Sequence, residues 1–285
     1  MDNLPVVVTG ASGFLGKYVC NKLKQSGQTV IEVSRQNGFD VCNPQSLDKI
    51  PAFKALFHLA AHTYVPDSYN KTALFFNTNI SGTINTLELC KKHNAQFLFA
   101  GSYIYGQPQS LPVNETHPTN LWNPYATSKI IGEELCQSYS KEFGLSTTSL
   151  RIFNIYGTGQ NTTFLIPKII SGIKAGSLEL ETATPKRDFV FASDVANAFL
   201  LAFENPAKKF TAYNVGSGIS HSVSDIVTMV KQILNSSTDV KYNNTLRPTE
   251  VADVIADCTK IKNELGWQPS VNIYEGLKMM CQSTI

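Results

Sequence analysis

The sequence predicts an α/β fold: a doubly wound parallel sheet followed by a smaller, less regular α/β part. Three observations predict it. Strand-like and helix-like segments alternate through the first half, the pattern of a parallel sheet with helices on both faces. Beyond residue 155 that rhythm loosens. The chain has 285 residues, 42% of them apolar and 16% charged, enough for a full-sized core in a globular protein.

Each element has its own reason. Val6–Thr9 is a short β-branched run, hence a strand. Leu15, Val19 and Leu23 then recur at i, i+4 and i+8, one face of a helix, with Lys17, Lys22 and Lys24 outside it. Gly27 ends that helix. Strands follow at 29–34 (TVIEVS) and 54–60 (KALFHLA), a helix around 82–93, a strand at 96–102, a helix from about Tyr125 to Phe143, and a strand within 146–153. Later, 164–176, 193–204 and 224–234 read as helices and 213–218 as strand and turn, while 236–250 is polar and loop-rich. This divides the chain into a regular α/β part at 1–155 and a smaller, less regular part at 156–285, with some return to the first. There is no internal repeat and no low-complexity linker.

The net charge of +2 points to neither nucleic acid nor an anionic membrane as a partner. Cys20, Cys42, Cys90, Cys136, Cys258 and Cys281 are scattered without a CxxC pair, so reduced thiols are expected rather than disulfides or a metal site. MDNLP lacks the basic and apolar regions of a signal peptide, and no apolar run reaches about 18 residues. A cytoplasmic location is therefore the expectation.

The turn after the first strand reads Gly10-x-x-Gly13-x-x-Gly16. One glycine permits the tight turn, one lets backbone approach a pyrophosphate, and one lets helix and strand pack closely. The following helix N-terminus offers free N–H groups and a positive dipole end. Placed after a strand and opening an amphipathic helix, the motif points to a Rossmann-like dinucleotide site rather than a plain strand-to-helix turn.

With this motif the chain resembles the extended short-chain dehydrogenase/reductases, in the branch of nucleotide-sugar epimerases, dehydratases and reductases. TGASGFLG (9–16), DVCNP (40–44), HLAA (58–61), NTNISGT (77–83), LRIFNIYG (150–157), RDFVFASDVA (187–196), YNVGSG (213–218), LRPTE (246–250) and LGWQP (265–269) carry the resemblance in order along nearly the whole chain. It implies an NAD(P) cofactor held by Gly10, Ser12, Gly13, Phe14, Leu15, Gly16, Val41, Leu59, Ala60, Ala61, Asn79 and Lys129, with Asp40 at the adenine. It also implies a nucleotide-diphosphate sugar as substrate and a homodimer built on the helices around 82–93 and 125–143.

Which cofactor depends on the end of the second strand, where an acid bonds a ribose 2′-hydroxyl and an arginine accommodates a 2′-phosphate. By the family's spacing that position is Ser34, followed by Arg35. This favours NADP(H) over NAD(H), because a carboxylate would repel the phosphate that Ser and Arg can bind. Glu32, two residues earlier on the same strand face, is the competing reading and would restore NAD.

For catalysis, Tyr125-x-x-x-Lys129 places a phenol and an ammonium on one helix face. A phenol near pKa 10 is a poor acid or base at neutral pH, and a neighbouring ammonium lowers that pKa. The resemblance implies Tyr125 as acid/base and Lys129 as its tuner and ribose ligand. The third member, a Ser or Thr five residues before the Gly of a YG pair, falls here on Gly101 in AGSYIYG. Three readings stand: Ser102 substitutes through a backbone shift, a backbone N–H of Gly101 or Ser102 polarises the substrate oxygen, or catalysis is lost. The first is preferred. Ser102 and Tyr103 stand where dehydratases of the family carry an acid pair, and Tyr103 stands where other relatives carry Glu or Cys. What remains is hydride and proton exchange at one carbon, by 4-keto reduction or by 4-epimerisation through a transient ketone. The Ser34–Arg35 pair favours the reductase; an idle dinucleotide-binding protein is the further alternative. His62, Tyr103, Tyr125, Asn154, Arg187 and Arg247 are the expected substrate contacts, the two arginines for the diphosphate. The plain alternative for Arg187 is a salt bridge with Asp188 or Asp194.

Overall fold

A computed structural model describes residues 4–245 and 250–283 of the chain. The first half runs β1 (Val6–Thr9), α1 (Phe14–Gln25), β2 (Val30–Val33), α2 (Pro44–Leu47), β3 (Ala55–His58), α3 (Val65–Asn70), α4 (Thr72–Phe76), α5 (Gly82–His93), β4 (Gln96–Ser102), α6 (Pro124–Phe143) and β5 (Thr147–Ile152). The second runs β6 (Asn154–Tyr156), α7 (Leu165–Lys174), β7 (Leu178–Leu180), β8 (Lys186–Phe191), α8 (Ala192–Glu204), β9 (Thr211–Val215), β10 (Ser220–Ser222), α9 (Val223–Ile233), β11 (Val240–Tyr242), α10 (Thr259–Leu265) and α11 (Ile273–Gln282).

The main sheet has six strands in the order β2-β1-β3-β4-β5-β9. Every pairing in it is parallel. Its central strands are mostly apolar because alternate residues feed two different cores. Val6, Val8, Phe57 and Leu98 join α1 and α8 residues such as Leu23 and Phe199 on one side. Val7, Leu56, Phe97 and Phe99 join Leu87, Cys90 and Cys136 of α5 and α6 on the other. The predicted doubly wound sheet is thus present. Its sixth strand comes from residues 211–215, and α8 packs against α1.

The remainder makes a three-stranded sheet, β10-β8-β6, and a two-stranded one, β11-β7. They enclose a separate core with α7, α9 and α11, built on Ile169, Ile170, Ile226, Val230 and Leu277. This smaller part sits beyond the C-terminal end of β5, because β6 continues almost directly from it. The smaller part therefore lies on the side of the C-terminal strand ends, where ligands of open α/β sheets bind in a crevice. Among the described residues, no helix is long and apolar enough to cross a membrane.

Candidate active site

The glycine turn has the geometry of a phosphate cradle. Gly10 sits at φ +70°, and a Cβ there would stand 2.8 Å from the Ala60 nitrogen. A Cβ on Gly16 would stand 2.2 Å from the Gly10 carbonyl oxygen. Neither position tolerates a side chain, so the β1–α1 turn stays tight and its backbone bare. The α1 N-terminus has no side-chain cap and no acid in its first turn, which leaves its N–H groups to an anion. Ser12, Phe14 and Leu15 lie on this turn and first helical residues. The loop after β3 closes the cradle: the Leu59 and Ala60 N–H groups donate to Thr9 Oγ1 at 3.2 and 3.3 Å.

At the end of β2, Ser34 is buried and its hydroxyl has no hydrogen-bond partner. An unpaired buried hydroxyl is costly, and here it awaits a ligand group. Arg35 follows, exposed, at the start of a 3-10 turn. Glu32 does not reach this point. It pairs in register with Val8, two residues short of the level of Gly10, and accepts from Lys24 Nζ at 2.5 Å. Asp40 accepts from the Cys42 N–H at 2.9 Å, and the Val41 carbonyl accepts from Asn85 Nδ2 at 2.8 Å. Cradle, orphaned hydroxyl and exposed guanidinium together fit a dinucleotide.

A buried polar chain links the cradle to the Tyr-Lys helix. Thr9 Oγ1 lies 2.9 Å from His58 Nδ1, and His58 Nε2 lies 3.1 Å from Thr83 Oγ1. Thr83 donates to the Asn79 carbonyl at 2.6 Å. The Asn79 side chain accepts from the His62 N–H at 2.8 Å and donates to the His62 carbonyl at 3.0 Å and to Ser128 Oγ at 2.9 Å. The Asn79 amide is thus spent on the chain itself, and Ala61 lies on the loop after β3. Burial drives the His58 pKa down to about 3, with the Lys129 charge adding to the effect. His62 packs on Phe75, at 5.5 Å between ring centroids.

α6 begins where its sequence dictates. Asn123 caps it by accepting from the Ala126 N–H at 2.8 Å, and Pro124 occupies the first turn. This sets Tyr125, half-buried, in the first turn of α6 and the buried Lys129 one turn further along it. Lys129 is buried; its Nζ donates to the Ala100 carbonyl at 2.9 Å, and burial lowers its pKa to about 8. Burial pushes Tyr125 up to about 12, opposed by a hydrogen bond with the Ser102 side chain and reinforced by Tyr103. Ser102 is thus the side chain that opposes the rise burial imposes on Tyr125. Ser102 is the last residue of β4, opposite Ile152.

The expected substrate residues divide. Tyr103 Oη donates to Asn154 Oδ1 at 3.1 Å, and Asn154 Nδ2 donates to the Asp188 carbonyl at 3.3 Å. These two sit together at the crevice. Arg187 pairs with Glu250, not with Asp188 or Asp194, and also donates to the Lys186 and Val251 carbonyls. It clasps the chain at 250–251, and a substrate phosphate would have to share it. Arg247 lies outside the described residues. Asp188, read from sequence only as a salt-bridge partner, is wholly buried. It accepts from the Ser217 N–H and hydroxyl and from the Gly218 and Ala256 N–H groups, at 2.6 to 3.0 Å. Its signal was an acid within an aromatic strand (RDFVF).

The chain is similar to known proteins over nearly its whole length. The model of the NAD dependent epimerase/dehydratase family matches residues 6–216. A putative UDP-glucose 4-epimerase of Methanocaldococcus jannaschii is 30% identical, over 96% of this chain and 96% of that protein. The GDP-6-deoxy-D-mannose reductase of Pseudomonas aeruginosa is 29% identical, over 95% of this chain and 94% of that one. Among solved structures, UDP-glucose 4-epimerase of Thermotoga maritima with UDP-glucose superposes with a TM-score of 0.91 at 28% identity, covering 98% of both chains. RMD from Pseudomonas aeruginosa complexed with NADPH gives 0.89 at 28% identity, covering 98% of this chain and 97% of that one.

Proposed function

The chain belongs to the NAD dependent epimerase/dehydratase family, and on that premise we propose that it is an NADPH-dependent reductase of the 4-keto group of a nucleotide-linked 6-deoxyhexose. The observation that carries the reading is the pair at the end of β2: an orphaned Ser34 hydroxyl beside an exposed Arg35, with Glu32 held back by Lys24. A 2′-phosphate fits that pair and an acidic ribose ligand is missing from it. NADPH in the related Pseudomonas aeruginosa structure supports the same choice.

Bound NADPH supplies a hydride to the ketone carbon. The chain supplies the rest. Tyr125 Oη gives its proton to the ketone oxygen as the hydride adds to carbon, so the product is the secondary alcohol. The high Tyr125 pKa keeps the phenol protonated at neutral pH, the form that ketone reduction consumes. Ser102 bonds the phenol and steadies the negative charge left on it. Lys129 spends one of its three donors on Ala100 and keeps two for the nicotinamide ribose. The absence of an acid or thiol at Tyr103 confines the chemistry to one carbon. Asn154 and Arg247 are the substrate contacts in this reading, with Arg187 sharing its guanidinium between Glu250 and the diphosphate. α5 and α6 form the face of a homodimer.

The experiment is a substrate panel. Purified protein with NADPH and several nucleotide-4-keto-6-deoxyhexoses should consume NADPH and give one C4 epimer of each alcohol. No turnover on any of them, with UDP-sugars interconverted instead, would favour the second reading, an NAD-dependent 4-epimerase. That reading is supported by the epimerase names among the relatives, and protein purified with NAD tightly bound would strengthen it.

A further inference from the structure

We infer that Ser149, Glu133 and Arg151 form a positioning array that sets Ser102 against Tyr125, and that this array requires a bare Gly101. The inference rests on the roles given to Tyr125 and Ser102 above. Glu133 follows Tyr125 and Lys129 at i+8 and i+4, on the same side of α6. Its buried carboxylate takes donors from two residues of β5. Ser149 Oγ donates to Oε2 at 2.7 Å, Arg151 Nε to both oxygens at 3.1 Å, and Arg151 Nη2 to Oε1 at 2.5 Å. Arg151 Nη1 then donates to Tyr105 Oη at 2.9 Å and to the Glu115 carbonyl at 2.8 Å. Tyr105 Oη in turn donates to Asn214 Oδ1 at 2.5 Å. One buried array thus fastens the Tyr125 helix to the strand beside β4 and to the loop that leaves Ser102.

Gly101 lies between these fastenings. A Cβ at Gly101 would stand 2.6 Å from Ser149 Oγ and 3.0 Å from the Leu150 carbonyl oxygen. Ser149 Oγ could swing clear only by leaving Glu133, and a broken partner in a buried charged array is costly. A Ser or Thr at 101 would instead push the end of β4 off β5 and carry Ser102 away from Tyr125. The hydroxyl therefore sits at 102, where it meets the phenol, and the position before it stays empty. Ser149, Glu133 and Arg151 touch no reacting atom; they act through Ser102 and Tyr125.

The test compares Gly101→Ala, Ser149→Ala and the double variant, in turnover, in NADPH affinity and by crystallography. Gly101→Ala should lower kcat by about ten- to hundredfold, the scale of a small misplacement of catalytic groups, with KM and NADPH affinity little changed. In the Ser149→Ala background, Arg151 still holds Glu133 by three hydrogen bonds and the nearer obstructing oxygen is gone, so the same change should cost less than about threefold. Crystal structures should show the Ser102–Tyr125 contact open in Gly101→Ala and closed again in the double variant. Gly101→Ala at wild-type kcat, or an equal loss in both backgrounds, would overturn the array. Tyr105→Phe removes one hydroxyl and adds no bulk, so it serves where Gly101→Ala does not fold; it should lower kcat alone, and an unchanged kcat would overturn the array equally. If the wild type reduces no ketosugar, the reductase reading fails, while the crystallographic contact still decides the array.

Discussion

Arg35→Ala should weaken NADPH binding about tenfold and leave NADH binding nearly unchanged. The guanidinium is exposed at the first residue of a 3-10 turn. Among the described residues no hydrogen bond or ion pair to it is seen, so its removal orphans nothing in the protein and the loss falls on the ligand alone. A hydrogen bond to a charged group contributes about 1.5 to 3 kcal/mol, and exposure argues for the lower end. At about 1.4 kcal/mol per decade, that is roughly tenfold in the NADPH dissociation constant. Salt gives an independent check. The screening length falls from about 30 Å at 0.01 M to about 3 Å at 1 M, so the wild-type preference for NADPH should narrow as salt rises, and the variant should show little such narrowing. Titration calorimetry or nicotinamide fluorescence on both proteins, with both cofactors and at two ionic strengths, measures the constants this requires. Equal weakening of NADPH and NADH, or a wild type that prefers NADH, would refute the reasoning and return the ribose to an acidic ligand.

Three further outcomes follow from the same geometry. Tyr125→Phe should lose about a hundred- to ten-thousandfold in kcat, the usual contribution of a positioned proton donor, and keep its NADPH affinity; turnover near the wild-type rate would remove Tyr125 from the reaction. Gly16→Ala should bind no dinucleotide, since its Cβ would stand 2.2 Å from the Gly10 carbonyl oxygen, and fluorescence titration with circular dichroism as the folding control reads this directly. His58 is buried with its pKa down at about 3, against 6.5 ordinarily, so the unfolded chain takes up a proton across that window and the folded chain does not. Stability should therefore fall as pH drops from about 6.5 towards 3. Melting temperatures of His58→Gln should vary less over that range than those of the wild type, and parallel curves would count against the assignment.

How much of this was legible in the sequence depended on how local each signal is. The strands at Val6–Thr9 and Ala55–His58 were readable because burial on both faces makes them apolar up to their last residue. Tyr125 and Lys129 were readable because four residues along a helix is a contact distance, and the glycine turn because its spacing is set by the turn itself. Ser102 was ambiguous because counting back from Gly106 lands on Gly101. Counted along β4, it is the strand's last residue, and only the neighbour Ser149 explains why the preceding position is bare. Long-range partners were not legible at all. Arg187 meets Glu250 across 63 residues, and Arg151 meets Glu133 from a different element. Three-residue strands such as β6, β7, β10 and β11 carry too short a pattern to stand out, and β9 entered the main sheet from beyond the expected boundary.

The central claim is that this chain moves a hydride from NADPH onto a sugar carbonyl and releases the cofactor oxidised. Deuterium-labelled NADPH tests it most directly, with a nucleotide-4-keto-6-deoxyhexose as substrate and the product read by mass spectrometry and NMR. The account predicts one deuterium at C4 of the product for each NADPH consumed. Interconversion of C4 epimers with no label gained from added cofactor, and none of that cofactor consumed, would contradict it.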